Sequence, residues 1–156
     1  MNQKQADDFQ ALYSGLKYKV LNLDFDMSNY CNGNPSDLFK KQKCGTTGSL
    51  AGYLPVFVDG WYYISVKSKL PCLISQLVLK IHPLLTKSKN KIVKFLSEKD
   101  IDESILVEQI SKFFGISQKD TEYLIWDHDT EEFRTRKEKL YQMIDIADKY
   151  GWDITY

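Results

Sequence analysis

The longest apolar stretch of the chain, residues 70–85, has the sequence LPCLISQLVLKIHPLL, and the predicted fold depends on it. Its apolar residues recur three and four positions apart, which is the spacing of one face of an α-helix. Pro71 is compatible with this assignment because proline is tolerated in the first turn of a helix. At 16 residues, with Lys80 and His82 inside it, the stretch is too short and too polar to span a bilayer. We therefore predict a central core helix over 70–85.

Helical spacing of apolar residues recurs on both sides of this segment. The further segments predicted to be helical are 3–16, 45–53, 92–96, 105–114, 117–125 and 135–150. The last of these has the clearest boundaries, because Thr135 and Glu138 form a capping-box pattern and Gly151 is a typical C-terminal stop. Asp102 and Ser117 are candidate N-caps, and Gly115 is a second candidate stop.

Two short segments have the period of a β-strand instead. Residues 21–27 alternate apolar and polar side chains, which predicts a strand with one buried face. Residues 56–58 and 61–64 flank Asp59-Gly60, the pattern of a β-hairpin with a type I′ turn. The predicted class is therefore α+β and mostly α, with about six helices around the helix at 70–85 and a small two- or three-stranded β element.

Composition limits the class of protein. The chain has 156 residues, 43% of them hydrophobic, and its 21 basic residues equal its 21 acidic residues. This favours one folded domain over 1–156 and disfavours a surface that coats nucleic acid along its whole extent. The three cysteines, Cys31, Cys44 and Cys72, have no Cys-x-x-Cys spacing, and the N-terminus lacks the apolar core of a signal peptide. We expect a cytoplasmic protein with no cofactor and no membrane segment.

Two motifs resemble those of a known group of proteins. Residues 25–27 read Phe-Asp-Met, and residues 44–52 read Cys-Gly-Thr-Thr-Gly-Ser-Leu-Ala-Gly. Together they resemble a family of small uncharacterised bacterial and bacteriophage proteins that carry Phe-Asp/Asn-Met followed by Cys-Gly-Thr-x-x-Cys-x-Ala-Gly. Ser49 stands here in place of the second cysteine, so the resemblance implies neither a disulfide nor a two-thiolate metal site.

The resemblance continues towards the C-terminus. Residues 114–116 and 124–126 are similar to the Leu-Gly-Leu and Leu-Phe positions of that family, and a last helix begins at a threonine in both. The similarity therefore extends over about residues 20–150. It implies a shared fold and a bacterial or phage origin, but no reaction.

One alternative function is a hydrolase or transferase with a cysteine nucleophile. Cys44 precedes a predicted helix, where the helix dipole and free backbone N–H groups stabilise a thiolate. His82 and His128 are the two histidines in the chain and hence the candidate bases. The competing interpretation is that Cys44 is a small buried residue that packs the start of the helix against the segment at 25–27.

Two other patterns have stronger structural than functional interpretations. Residues 127–129, Asp-His-Asp, contain metal-binding side chain types, but consecutive residues point in different directions, so we predict a solvated acidic turn and no metal site. Residues 107–126 have the apolar and glycine spacing of a helix-turn-helix, which is a third candidate function. Asp120 and Glu122 would then face a polyanion, which disfavours nucleic-acid binding and favours a helical hairpin that only packs.

The charges are unevenly distributed along the chain. Residues 60–97 contain seven lysines and no acidic residue, whereas residues 98–156 contain eight basic and fifteen acidic residues. The two segments either neutralise each other in the fold or face different partners. The candidate binding residues combine basic and aromatic side chains: Lys87, Lys89, Lys91, Lys94, Trp61 and Tyr62.

The function we predict from the sequence is therefore a non-catalytic protein-interaction module. It would bind a protein, for example one of a bacterial host, through this charge-polarised surface. The sequence leaves the identity of the partner and the oligomeric state open.

Overall fold

A computed structural model describes residues 2–25, 27, 31–32, 47–64, 70–73, 92–93, 103–126 and 135–156, and this part of the chain is mostly helical. Its α-helices are α1 (Gln3–Tyr18), α2 (Leu54–Phe57), α3 (Glu103–Phe114), α4 (Gln118–Ile125) and α5 (Arg136–Tyr150). Two short 3-10 helices cover Asn22–Asp24 and Ala51–Tyr53. The strands are β1 (Cys31–Asn32), β2 (Thr47–Gly48), β3 (Trp61–Ile64), β4 (Leu70–Leu73) and β5 (Ile92–Val93).

The described strands form two small sheets. In the larger sheet, β3 lies between β4 and β5; it is antiparallel to β4, with Trp61 opposite Leu73, and parallel to β5, with Tyr63 opposite Ile92. The second sheet is the antiparallel pair β1–β2. Phe25 adds an isolated bridge to Gly48 of β2.

Ser117 and Thr135 cap α4 and α5 as the sequence predicted, whereas Asp102, the other candidate N-cap, lies outside the described residues. The side chains of Ser117 and Thr135 accept hydrogen bonds from the backbone N–H groups three residues later, at 3.1 and 3.2 Å. Gly115 and Gly151 end α3 and α5 with φ angles of 68° and 70°, in the left-handed region that favours glycine. The predicted helices at 3–16, 105–114, 117–125 and 135–150 are thus confirmed, with small changes of boundary.

The core is built on the buried face of α1. This helix packs against α5, α3 and α2, and its buried residues belong to one hydrophobic cluster that extends to Ile154. Phe9 contacts the rings of Phe114 and Trp152, with ring centroids 5.6 and 4.7 Å apart. Residues near both ends of the chain therefore share one core.

The apolar stretch at 70–85 does not begin as the predicted helix. Residues 70–73 form β4, paired with β3, and residues 74–85 lie outside the described residues. Pro71 fits this position because β4 is at the edge of the described sheet, where a missing backbone N–H is tolerated. Ile92 and Val93, predicted as helical, are also in a strand, which suits β-branched side chains. A short apolar run does not distinguish these alternatives by its periodicity.

The strand predicted over residues 21–27 was wrong. Residues 22–24 form a 3-10 turn closed by a 3.0 Å hydrogen bond from the Asp24 N–H to the Leu21 carbonyl. Leu21 and Leu23 are consequently exposed, while Phe25 and Met27 are buried. The alternating pattern thus reflects two different environments rather than the two faces of one strand.

The predicted hairpin over residues 56–64 was half correct. Its second strand is β3, and Gly60 has the positive φ of 91° that its turn requires. However, residues 56 and 57 end helix α2, which begins at Leu54 with proline in its first turn, and β3 pairs with β4 instead. Of the helix predicted over 45–53, the structure describes residues 47–53. These residues form β2 and the 3-10 helix Ala51–Tyr53 instead of one α-helix.

A close approach between α1 and α2 generates a prediction about stability. A Cβ atom added at Gly15 would lie 2.4–2.6 Å from the Cγ, Cδ1 and Cδ2 atoms of the Phe57 ring. We expect Gly15→Ala to lower the free energy of unfolding by about 1–3 kcal/mol, because this overlap outweighs the roughly 1 kcal/mol that alanine gains in a helix. Urea unfolding measures the change.

The control for this prediction is a double-mutant cycle with Phe57→Leu. The smaller side chain should reduce the penalty of Gly15→Ala, so the double variant should be more stable than the sum of the single changes implies. An unfolding midpoint of Gly15→Ala equal to or above that of the wild type would contradict the proposed overlap.

Candidate interaction surface

Most of the residues that the sequence singled out lie outside the described part of the chain. These residues are Cys44, His82, His128, Lys87, Lys89, Lys91 and Lys94. The cysteine nucleophile and the lysine cluster therefore remain predictions.

The aromatic partners of that lysine cluster are placed by the structure. The side chain of Trp61 is 0% exposed and packs edge-on against Phe113, with ring centroids 5.5 Å apart. Tyr62, the next residue, is half-buried. Trp61 is therefore a core residue without surface to offer a partner, and its predicted role as an interface anchor must be corrected.

Helices α3 and α4 form the helical hairpin that the sequence suggested. Their connection is fixed by a 3.0 Å bond from the Ile116 N–H to the Ser111 carbonyl, and by a 2.6 Å bond from the Ser111 hydroxyl to the Ile116 carbonyl. Ile116 itself is buried. The hairpin thus packs into the core through its turn as well as its helices.

Asp120, which would face outward only if the hairpin were a nucleic-acid-binding helix-turn-helix, is buried in a polar network. Its carboxylate accepts hydrogen bonds from Lys149 Nζ at 2.9 and 3.0 Å and from the Tyr150 hydroxyl at 2.5 Å. The Tyr150 hydroxyl also accepts a bond from the Ser117 N–H at 2.9 Å. The network therefore joins the start of α4 to the end of α5.

These contacts change the acidity of the carboxyl. Burial works to raise the pKa of Asp120, but hydrogen bonds from Tyr150, Lys149 and Ser117 and the charge of Lys149 outweigh it, so the pKa is lowered. The hydrogen bond to Asp120 raises the pKa of Lys149 in turn. Both shifts favour the ion pair, and the network is consistent with a structural role.

A second buried polar group closes the other end of α4. Lys139 is completely buried, and its Nζ donates to the carbonyls of Tyr123 and Trp126 at 3.0 and 3.2 Å and to Gln142 Oε1 at 2.8 Å. A lysine ammonium has three donors, and these bonds can use all of them. Sequence reasoning missed this residue, although its spacing from Met143 and Ile146 places it on the buried face of α5.

One short segment of the described chain carries three exposed large apolar side chains. Tyr18, Leu21 and Leu23 are 69%, 57% and 88% exposed, and they lie within six residues. We call these three side chains the apolar patch. The other exposed large hydrophobic residues in the described ranges are spread over separate positions: Trp126, Tyr141 and Tyr156.

Basic residues border the apolar patch. Lys17 Nζ lies 5.2 Å from the ring centroid of Tyr18 and 5.8 Å from that of Tyr13. Lys19 is exposed beside it in the chain. Arg136, the first residue of α5, donates from Nη1 to the carbonyls of Leu16 and Lys17 at 3.1 and 2.9 Å. The end of α1 is thus held against α5, and the ammonium of Lys17 lies against the Tyr18 ring of the patch.

Among the described side chains, no group of three or more His, Cys, Asp and Glu residues could hold a metal ion. None of the helices in the described ranges is long and apolar enough to cross a membrane.

Comparisons with known proteins add no relative. Protein-family models, curated proteins and solved structures give no significant match to this chain. A functional interpretation therefore depends on the surface of the molecule itself.

The Asp120 network generates a prediction about pH. Because the folded-state pKa of Asp120 is lowered, its contribution to stability is present above the unfolded-state pKa of about 4 and is lost as the pH falls through the folded-state value. We expect Asp120→Asn to lower the free energy of unfolding by about 1–2 kcal/mol near neutral pH, with allowance for the exposed position of Lys149. The difference from the wild type should shrink below about pH 4.

Urea unfolding of both proteins over a series of pH values measures this difference. Asp153→Asn, a change at an exposed carboxylate, is the control and should have little effect at any pH. A wild-type advantage over Asp120→Asn that stayed constant from neutral to strongly acidic pH would contradict the role of the ionised carboxylate.

Proposed function

We propose that this chain is a non-catalytic protein-interaction module of bacterial or phage origin that acts in a cytoplasm, and that the apolar patch is part of its binding surface. The observation that carries the proposal is the exposure of Tyr18, Leu21 and Leu23 within one short segment. The family resemblance of residues 25–27 and 44–52 supports the origin.

The apolar patch has the physical properties of a binding surface. Exposed apolar side chains that lie together and are bordered by polar groups are typical of protein contacts. Burying a leucine side chain that is otherwise in water contributes about 1.5–3 kcal/mol, so Leu21 and Leu23 alone offer a substantial gain on association. Tyr18 adds a side chain type that is enriched among the residues that dominate binding energy.

The segment that carries the patch is held in place before any partner binds. Arg136 binds the last turn of α1, and the Tyr53 hydroxyl donates to the Asp24 carbonyl at 2.8 Å. The hydrogen bond between Asp24 and Leu21 closes the intervening turn. A surface whose backbone is already ordered loses less conformational entropy on binding.

The lysines at 87, 89, 91 and 94 remain a proposed second contact. Their charges would complement an acidic partner and speed its association, whereas the apolar patch would supply most of the affinity. Trp61 is not part of this proposal because it is buried in the core.

The test begins with affinity capture of partners from a bacterial lysate with the tagged chain. Captured proteins are identified by mass spectrometry, and the strongest candidate is purified for titration calorimetry. We expect Tyr18→Ser to weaken its binding by about tenfold or more, because an exposed aromatic anchor is lost.

Tyr141→Ser is the matched control. Tyr141 is also an exposed tyrosine on a helix, 58% exposed against 69% for Tyr18, but it belongs to α5 and not to the segment that carries the patch. Equal affinity of the two variants would refute the role of the patch. If no purified candidate bound the wild type, the proposal of a protein-interaction module would fail.

A further inference from the structure

We infer that the face of α1 around Gln10 is a docking site for an extended peptide, and that residues 153–156 of the same chain occupy it as a releasable strap. A peptide that fits the site carries an aliphatic side chain followed two positions later by an aromatic one, the spacing of Ile154 and Tyr156. The apolar patch is not part of this site, so the inference stands independently of the proposed function.

One side chain of α1 holds the backbone of the strap. Gln10 Nε2 donates to the Thr155 carbonyl at 2.8 Å, while Gln10 Oε1 accepts from the Thr155 N–H at 2.5 Å. A side-chain amide carries both a donor and an acceptor, so it can bind the N–H and carbonyl of a backbone without regard to the residue type. Backbone bonds of this kind, combined with specific contacts of alternate side chains, are how extended peptides are commonly recognised.

The side chains of the strap alternate between the core and solvent. Ile154 is buried in the hydrophobic cluster, whereas residues 153 and 155 are exposed. Tyr156 packs edge-on against Tyr13 of α1, with ring centroids 6.1 Å apart. A period of two is that of an extended chain, so the strap presents two anchoring side chains to the helices on either side of its backbone contact.

The strap is attached by contacts that can break without unfolding the helices. Within the described ranges it makes no backbone–backbone hydrogen bond, and the last such bond before it joins the Trp152 N–H to the Ala147 carbonyl at 2.9 Å. Its remaining polar contact, from the Tyr156 hydroxyl to Asp148 Oδ1 at 2.8 Å, is exposed to solvent. Segments with few backbone bonds open at a lower free energy than the core. Release of the strap would therefore uncover this face of α1 while the core stays folded.

The strap would also regulate access to the site. Because it belongs to the same chain, its effective concentration at α1 is about millimolar or higher, and a free peptide must compete with it. Weakening the anchors of the strap should consequently strengthen the binding of a peptide from solution.

The probe is a short peptide with the sequence of the strap, Asp-Ile-Thr-Tyr, blocked at both ends. It is titrated into the full chain, wild type and Ile154→Ser/Tyr156→Ser, and binding is followed by the NMR shifts of the α1 amides. We expect the dissociation constant for the variant to be lower than that for the wild type by about tenfold or more. Tyr156→Ser alone, at a residue that is 47% exposed, should act in the same direction and serves if the double variant does not fold.

Two controls test the specificity of the site. Gln10→Ala, added to the strap variant, should abolish binding, whereas Gln3→Ala should leave it unchanged because that glutamine is exposed and pairs with Asp7. A peptide of the same composition in the order Ile-Tyr-Asp-Thr, which places the two anchors side by side, should bind at least about tenfold more weakly.

Native-state hydrogen exchange of the wild type measures the release of the strap directly. The Thr155 amide should exchange through an opening of lower free energy than global unfolding. Exchange of this amide only with global unfolding would overturn the strap, and equal affinities of the wild type and the strap variant would overturn the docking site. Dimerisation of the wild type that Gln10→Ala abolishes would replace the partner peptide by the strap of a second copy.

Discussion

The packing of Phe9 is the interaction on which the rest of the structure depends. This residue of α1 is almost completely buried between Phe114 at the end of α3 and Trp152 just after α5. The series of ring contacts continues from Phe114 through Phe113 to Trp61 of β3. One buried row of rings therefore ties the sheet, the helical hairpin and the C-terminal segment to α1. The contacts of Phe9 with Phe114 and Trp152, and that of Phe113 with Trp61, join residues that are far apart in sequence, so the row can form only when the whole core assembles.

The polar groups set the directions of the helices around this core. Arg136 holds the start of α5 at the end of α1, while the Gln10 side chain, near the middle of α1, pairs with the backbone N–H and carbonyl of Thr155 beyond the end of α5. The two helices consequently run in opposite directions. Asp120 and Lys139 bind the two ends of α4 to α5. The apolar patch lies just beyond the end of α1 that Arg136 holds, which explains how a short irregular segment presents leucines in a fixed position.

The sequence predicts correctly those parts of the fold that are determined by neighbouring residues in the chain. Helices with cap residues, such as those begun by Ser117 and Thr135, were predicted correctly because a cap is satisfied within one turn. The structures of residues 70–73 and 21–27 were predicted incorrectly. An apolar run or an alternating pattern is compatible with more than one structure, and the tertiary contacts of the segment decide which one forms. Burial of Asp120 and Lys139 likewise depends on partners elsewhere in the fold.

The same distinction applies to the candidate site. The exposure of Leu21 and Leu23 could not be predicted, because the alternating pattern of residues 21–27 is equally compatible with a strand that buries both leucines. Trp61 was assigned to an interface because aromatic residues are common there, but the sequence does not show that its ring packs against Phe113 of α3. The predicted nucleophile Cys44 and the lysine cluster are not among the described residues, so the surface we propose was found only from the fold.

The central claim is that α1, through Phe9, is the element around which the core assembles. Native-state hydrogen exchange over a denaturant series tests it most directly, because it measures the free energy of opening for each amide. We expect the amides of Phe9, Leu12 and Leu16 to open only with global unfolding, so their free energy of opening should equal the free energy of unfolding measured with urea. Exchange of these amides through an opening of lower free energy than that of the amides in α3 and α5 would show that α1 is not the element around which the core assembles.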